Sequence, residues 1–238
     1  MDIGNIARNI SIYAVPVLMA IILHEVAHGW VAEKFGDSTA RRAGRITLNP
    51  ISHVDIIGTV ILPLVLIISG SKFLFGWAKP VPVNFAALRN PKKDMVWVAL
   101  SGPGTNFTLA LLSGILIRVI IAIEPTAWQL AQADVSPANL RQMGMGVSVL
   151  VPLMMMLNAS VIINCVLMVL NLIPVPPLDG GRVAVGLLPD SIAYSYSKVE
   201  PFGIFIVLLF IFILEPTQVM FQQVIIFFVK MFYYVALY

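Results

Sequence analysis

The chain has 238 residues, of which 59% are hydrophobic and only 11% charged, with a net charge of +3. Soluble domains run about 45–50% apolar and about 25% charged, so this composition excludes an ordinary water-soluble globule and indicates an integral membrane protein. The modest charge excess gives no basis for a nucleic-acid partner, and a single cysteine, Cys165, excludes an intrachain disulfide framework and reads as a small buried hydrophobe.

Met1 to Arg8 lacks the basic leader and small-residue cleavage site of a removable signal peptide, so the first apolar stretch, Ile10 to Ala32, is expected to remain as a membrane span. Inside it lies His24-Glu25-Val26-Ala27-His28. Two histidines one helical turn apart project from the same face and can share an ion, while Glu25 stands beside that line. The offset suits a carboxylate that takes a proton from a metal-bound water, whose pKa zinc lowers to about 7. Imidazole combined with carboxylate favours zinc, one ion per chain. Three ionisable groups within five residues of an apolar span are costly in lipid and are kept there when they face a cavity and act.

Further apolar stretches lie at Ile56 to Ser69, Met95 to Ile123, Gly146 to Leu172, Phe202 to Leu214 and Val219 to Leu237. With the first they predict an all-α polytopic membrane protein of about five to six transmembrane or re-entrant segments, forming one domain over residues 1–238. The second stretch is short and carries Pro63, so a full span and a re-entrant element both remain open. Arg45 to Leu48 has strand-like character and predicts a small β-hairpin on the cytoplasmic side, where an edge strand could pair with an extended substrate. Lys34, Arg41, Arg42 and Arg45 come after the first helix, and Lys72, Lys79, Arg89, Lys92 and Lys93 precede the third stretch, whereas Glu124 to Arg141 holds only Arg141. By the positive-inside rule both basic regions are cytoplasmic, which runs the fourth stretch inward and brings its end to the depth of His24 and His28.

A zinc site needs a third protein ligand. Asp179 is the candidate, in Asn171-Leu172-Ile173-Pro174-Val175-Pro176-Pro177-Leu178-Asp179-Gly180-Gly181-Arg182, where three prolines and two glycines break the helix at the inner end of an apolar stretch. Irregular backbone at membrane depth is tolerated where it lines a wet, buried cavity. The segment could also be a plain helix exit and a turn, with Asp179 as the cap of the next element. Ligand shortage and topology together favour Asp179 as the missing oxygen ligand.

The pairing of these two motifs resembles the site-2 protease family of intramembrane zinc metalloproteases, over nearly the whole chain. The resemblance implies His24, His28 and Asp179 as zinc ligands, Glu25 as catalytic base, and Asn171 as a residue that positions substrate or stabilises the oxyanion. Gly44-Arg45-Ile46-Thr47-Leu48-Asn49-Pro50 with His53 and Asp55, Phe75-Gly76-Trp77-Ala78-Lys79-Pro80, and Ser101-Gly102-Pro103-Gly104-Thr105-Asn106 are similar to the compact bacterial and archaeal branch that carries no PDZ or CBS module. It implies hydrolysis of peptide bonds in or near the transmembrane segments of membrane-protein substrates, in a prokaryotic inner membrane with the site towards the cytoplasm.

Two accessory candidates remain. His53 reads as a loop histidine or as a gating ligand, and Asn106 reads as a helix-packing amide. The run Met154-Met155-Met156 reads as lipid-facing or packing surface. The competing functions are an inactive zinc-binding membrane scaffold that captures client helices, against which Glu25 argues, and a metal transporter, for which paired inverted repeats are missing from the sequence.

Overall fold

The computed structural model describes residues 3–69, 76–133 and 135–237. Phe75 and Lys72, both singled out from the sequence, lie outside the described residues. In chain order the helices are α1 (Ile3–Lys34), α2 (Thr39–Arg42), α3 (Leu62–Ile68), α4 (Pro91–Ile123), α5 (Ala127–Gln132), α6 (Pro137–Gln142), α7 (Met145–Asn171), α8 (Asp179–Leu187), α9 (Asp190–Ser197), α10 (Glu200–Phe212) and α11 (Glu215–Leu237).

Four of these, α1 from Arg8 onward, α4, α7 and α11, are long and apolar enough to cross a bilayer. The pair α9 and α10 bends by 72° and adds a fifth if counted as one broken span. The described residues thus give four to five candidate spans, and the predicted five to six transmembrane or re-entrant segments are not confirmed. Ile56 to Ser69 forms a wide turn over Ile56–Ile61 and then α3. At about 1.5 Å per residue, that pair rises about 20 Å, short of the roughly 30 Å hydrocarbon core.

The predicted β-hairpin is corrected, because no strand occurs among the described residues. Gly44 turns the chain with a φ of 64°, and the Arg45 amide donates back to Ala40 O, 2.9 Å away. Beyond it, the Thr47 carbonyl bonds the His53 imidazole. Side chains and local turns therefore use backbone groups that a ladder would have needed.

The chain divides into two compact units. Unit 1 comprises Met1–Ala20, Pro103–Ile173 and Phe202–Tyr238. Its core gathers Ala110, Ile117, Val151, Met154, Cys165 and Phe232 among others. Gly114 lets α4 approach α11 closely, since a Cβ there would stand 3.0 Å from Phe232 O. Through the same core runs a polar ladder. Asn106 Nδ2 donates to Asn164 Oδ1 at 2.8 Å and to Ala20 O at 3.3 Å, and Ser113 bonds Ser160 at 2.9 Å. Asn106 is thus the helix-packing amide that the sequence predicts.

Unit 2 comprises Ile21–Gly102 and Pro174–Pro201. Ala32, Leu88 and Val98 form its small core, with Phe35, Val83, Phe85 and Met95 against them. Asp37, fully buried, ties the end of α1 to the chain around Asn84: Oδ1 accepts from the Thr39 amide and hydroxyl, and Oδ2 accepts from the Asn84 amide at 2.6 Å.

Candidate metal centre

His24, His28 and Asp179 all belong to unit 2. The helical register of α1 stacks the two imidazoles, with Nε2 to Nε2 at 3.1 Å. Asp179 opens α8 as its first helical residue, Leu178 being the cap, so the capping alternative for Asp179 does not hold. Its carboxylate instead reaches the histidines, Oδ2 lying 3.2 Å from His24 Nε2 and Oδ1 3.3 Å from His28 Nε2. The turn that delivers it needs glycine close by. A Cβ on Gly181 would lie 2.2 Å from Pro176 N, so the proline loop can fold back against α8 only where no side chain intervenes.

Three ligands of a tetrahedral zinc at about 2.0–2.1 Å stand about 3.3 Å from one another, and the triangle formed here has that size. Two observations add to the fit. Asp179 Oδ2 is buried and, apart from the His24 approach, has no hydrogen-bond donor among the described residues. A Cβ built on Gly102 would lie 2.5 Å from His28 Nε2 and 2.6 Å from His24 Nε2, so the missing side chain of this residue leaves the space an ion would fill.

Orientation of His28 is set from behind. Its Nδ1 lies 2.7 Å from Val98 O, and because a carbonyl can only accept, Nδ1 carries the proton and Nε2 keeps its lone pair for the metal. Ser101 Oγ donates to the same carbonyl at 2.6 Å and lies 3.3 Å from Nδ1. Among the described residues no other His, Cys, Asp or Glu joins the ligand group, and three protein ligands are the number that catalytic zinc sites use.

Glu25 stands off the ligand set, as its register demands, and Oε2 accepts a 2.6 Å hydrogen bond from the Val81 amide. His53 is buried outside the ligand group, its Nε2 donating to Thr47 O at 2.9 Å, so the gating-ligand reading finds no support among the described residues. Asn171, in unit 1, donates to Leu167 O at 3.0 Å within its own helix. Sequence reasoning assigns no role to Gly102, Ser101, the Val98 carbonyl or the Val81 amide. Ser101-Gly102-Pro103 stands out only as part of a motif, because neither the room left by an absent Cβ nor a backbone group leaves a chemical mark in a sequence.

A helix-borne pair of histidines completed by an aspartate, with a carboxylate beside them, in a chain whose described residues include four helices apolar enough to cross a bilayer, defines a membrane metalloprotease of the zinc-dependent type. The profile of peptidase family M50 matches residues 12–214, and the chain belongs to that family, the site-2 proteases. YwhC of Bacillus subtilis, whose name assigns it provisionally to the zinc metalloproteases, is 33% identical over 199 residues, covering 84% of this chain and 78% of YwhC. Rip2 of Mycolicibacterium smegmatis, with a name of the same kind, is 28% identical over 194 residues. That match covers 81% of this chain but 64% of Rip2. No solved structure matches.

Proposed function

We propose that the protein hydrolyses peptide bonds in or near the transmembrane segments of membrane-protein substrates, with its site open towards the cytoplasm. The observation that carries this reading is the His24, His28 and Asp179 triangle with Glu25 beside it, on a helix apolar enough to span the bilayer. Zinc, when bound, supplies Lewis-acid polarisation of the scissile carbonyl and lowers the pKa of water.

The chain's own residues do the rest. His24 and His28 are one turn apart and hold the ion on one face; Asp179 closes the third corner and lowers the net charge of the site. Glu25, bonded through Oε2 to the Val81 amide, keeps its second oxygen to receive a proton from water and return it to the leaving amine. Asn171 has the oxyanion role in this reading and must exchange its bond to Leu167 O for one to substrate. A helical substrate satisfies its own carbonyls, so it must unwind before it reaches the site.

The test is Glu25→Gln in the full chain. Zinc should stay bound at about one per chain while cleavage of a tagged single-span substrate falls at least about 10³-fold. Cleavage that persists would reject Glu25 as base, whereas zinc binding with client capture but no cleavage in wild type would favour the scaffold.

A further inference from the structure

The segment after Gly76 is neither helix nor strand, and its backbone hydrogen bonds repeat with a period of two up to the site. The Trp77 amide donates to Gly58 O at 3.1 Å, and Trp77 O accepts from the Thr59 hydroxyl at 2.8 Å. Two residues on, the Lys79 amide donates to His53 O at 2.9 Å, and Lys79 O accepts from Arg45 Nη2 at 2.7 Å. Two residues further, the Val81 amide donates to Glu25 Oε2. Residues 77, 79 and 81 thus present one edge: the first two are taken by the loop from Arg45 to Thr59, and the third by the catalytic carboxylate.

Several features make this register hard to slip. Pro80 and Pro82 have no amide, so Val81 is the sole N–H donor among the three residues, and each proline also holds the residue before it in extended conformation. Gly58 has no side chain where a Cβ would stand 2.4 Å from the Trp77 indole, which lets the ring lie on the loop backbone. The loop is braced internally. The Asp55 carboxylate accepts from the Gly58 amide at 2.7 Å, the Asp55 amide bonds the Thr59 hydroxyl at 3.0 Å, and the buried His53 ring is tied to Thr47 O.

We propose that the loop Arg45 to Thr59 sets the register of residues 77–81 so that the lone Val81 amide fixes the Glu25 carboxylate for proton transfer. Arg45, His53 and Thr59 are then positioning residues. A hydrogen bond to one oxygen of an ionised carboxylate is charge-assisted and directional, so it holds the plane of the group and leaves the second oxygen for the proton. The stretches around Asn49-Pro50 and Trp77 to Pro80, which the metal ligands leave unexplained, obtain a role on this account. The proposal rests on the protease reading for the chemistry of Glu25, but the register device can be measured without turnover.

The experiment is amide hydrogen exchange on the zinc-loaded full chain in detergent. Valine labelling resolves position 81, whose proline neighbours contribute no amide. In Glu25→Ala the Val81 amide should exchange about tenfold faster while Trp77 and Lys79 keep their protection, and in Arg45→Met the Lys79 and Val81 amides should loosen together. Unchanged Val81 exchange in Glu25→Ala would overturn the proposal.

A second arm uses a tagged substrate whose single transmembrane helix carries an Asn-Pro break. Val81→Pro, which removes the amide, should lower kcat about tenfold or more with KM and zinc content unchanged, and Val81→Ala, which keeps it, should lower kcat far less. Equal loss in both variants would mean that Val81 acts by packing alone. A wild-type protein that binds zinc and protects Val81 yet cuts nothing would remove the protease reading and the proton-transfer role with it, leaving the hydrogen bond as structure.

Discussion

Buried polar side chains in unit 1 answer one another. Asn106 meets Asn164, Ser113 meets Ser160, and Asn164 Nδ2 bonds back to Ser160 O, so the ladder is closed within the helices it joins. In unit 2 the buried polar groups of the site answer the backbone and leave ligand atoms converging on one point: His28 is held through Nδ1 by Val98 O while its Nε2 faces Asp179. A closed polar set cements helices where lipid offers no hydrophobic drive between them; an open set costs folding energy that only a bound ion recovers. Substitutions in the two sets should therefore separate metal affinity from fold stability.

The largest expected effect comes from Gly102→Ala. Its methyl would occupy the space between the two Nε2 atoms, so zinc by elemental analysis should fall from about one per chain to below about a tenth, with cleavage lost. The metal-free variant should melt within a few degrees of metal-free wild type. Full zinc occupancy in this variant would show that the ion sits elsewhere.

The converse substitution is Asn164→Ala, which takes from the buried Asn106 amide its 2.8 Å acceptor in the core of unit 1 and leaves it the longer bond to Ala20 O. Removing one acceptor from a buried amide costs about 1–3 kcal/mol, seen as a lower unfolding midpoint, while zinc content stays at the wild-type level. Replacing both residues by leucine should cost less than the single change, because no polar group is left alone. If the single variant loses zinc in proportion to stability, the separation of the two sets fails.

Asp37 gives a smaller effect with a defined pH sign. Burial opposes ionisation here, but the Thr39 hydroxyl and amide and the Asn84 amide outweigh it and hold the carboxyl below its usual 3.8. A depressed folded-state pKa contributes stability that is present above the unfolded value and lost as pH falls through the folded one. In chelator-treated protein, Asp37→Asn should cost about 1 kcal/mol at neutral pH, and its midpoint should converge on that of wild type below about pH 4. A gap that stays constant down to about pH 2 would assign the loss to packing.

The ligand set was legible because covalent spacing encodes it: a helix places His24 and His28 one turn apart whatever surrounds them, and the prolines before Asp179 announce a break at membrane depth. Asn106 was legible for a similar reason, since a buried amide in an apolar run must find a partner. Arg45 to Leu48 misled because Ile46 and Thr47 are β-branched, yet Gly44 turns the chain and the His53 ring takes the Thr47 carbonyl. The run from Phe202 looked like a separate span, whereas α10 is the second arm of a bent pair whose first arm, α9, is too polar to register as apolar sequence. Gly102 was opaque since its function is to lack atoms, and glycine alone does not say which neighbour needs the room.

Gly104 supplies the finest test of that steric role. It lies two residues from Gly102 in α4, but a Cβ there would meet nothing within 4 Å among the described residues. Alanine in a helix interior is favoured over glycine by about 0.5–1 kcal/mol, so Gly104→Ala should raise the unfolding midpoint slightly and leave zinc content and cleavage as in wild type. The two glycines would then answer the same substitution with opposite signs, one through backbone entropy and the other through occupied space. A fall in zinc on Gly104→Ala would mean that stiffening α4 alone disturbs the ligands, and the loss in Gly102→Ala could no longer be read as steric.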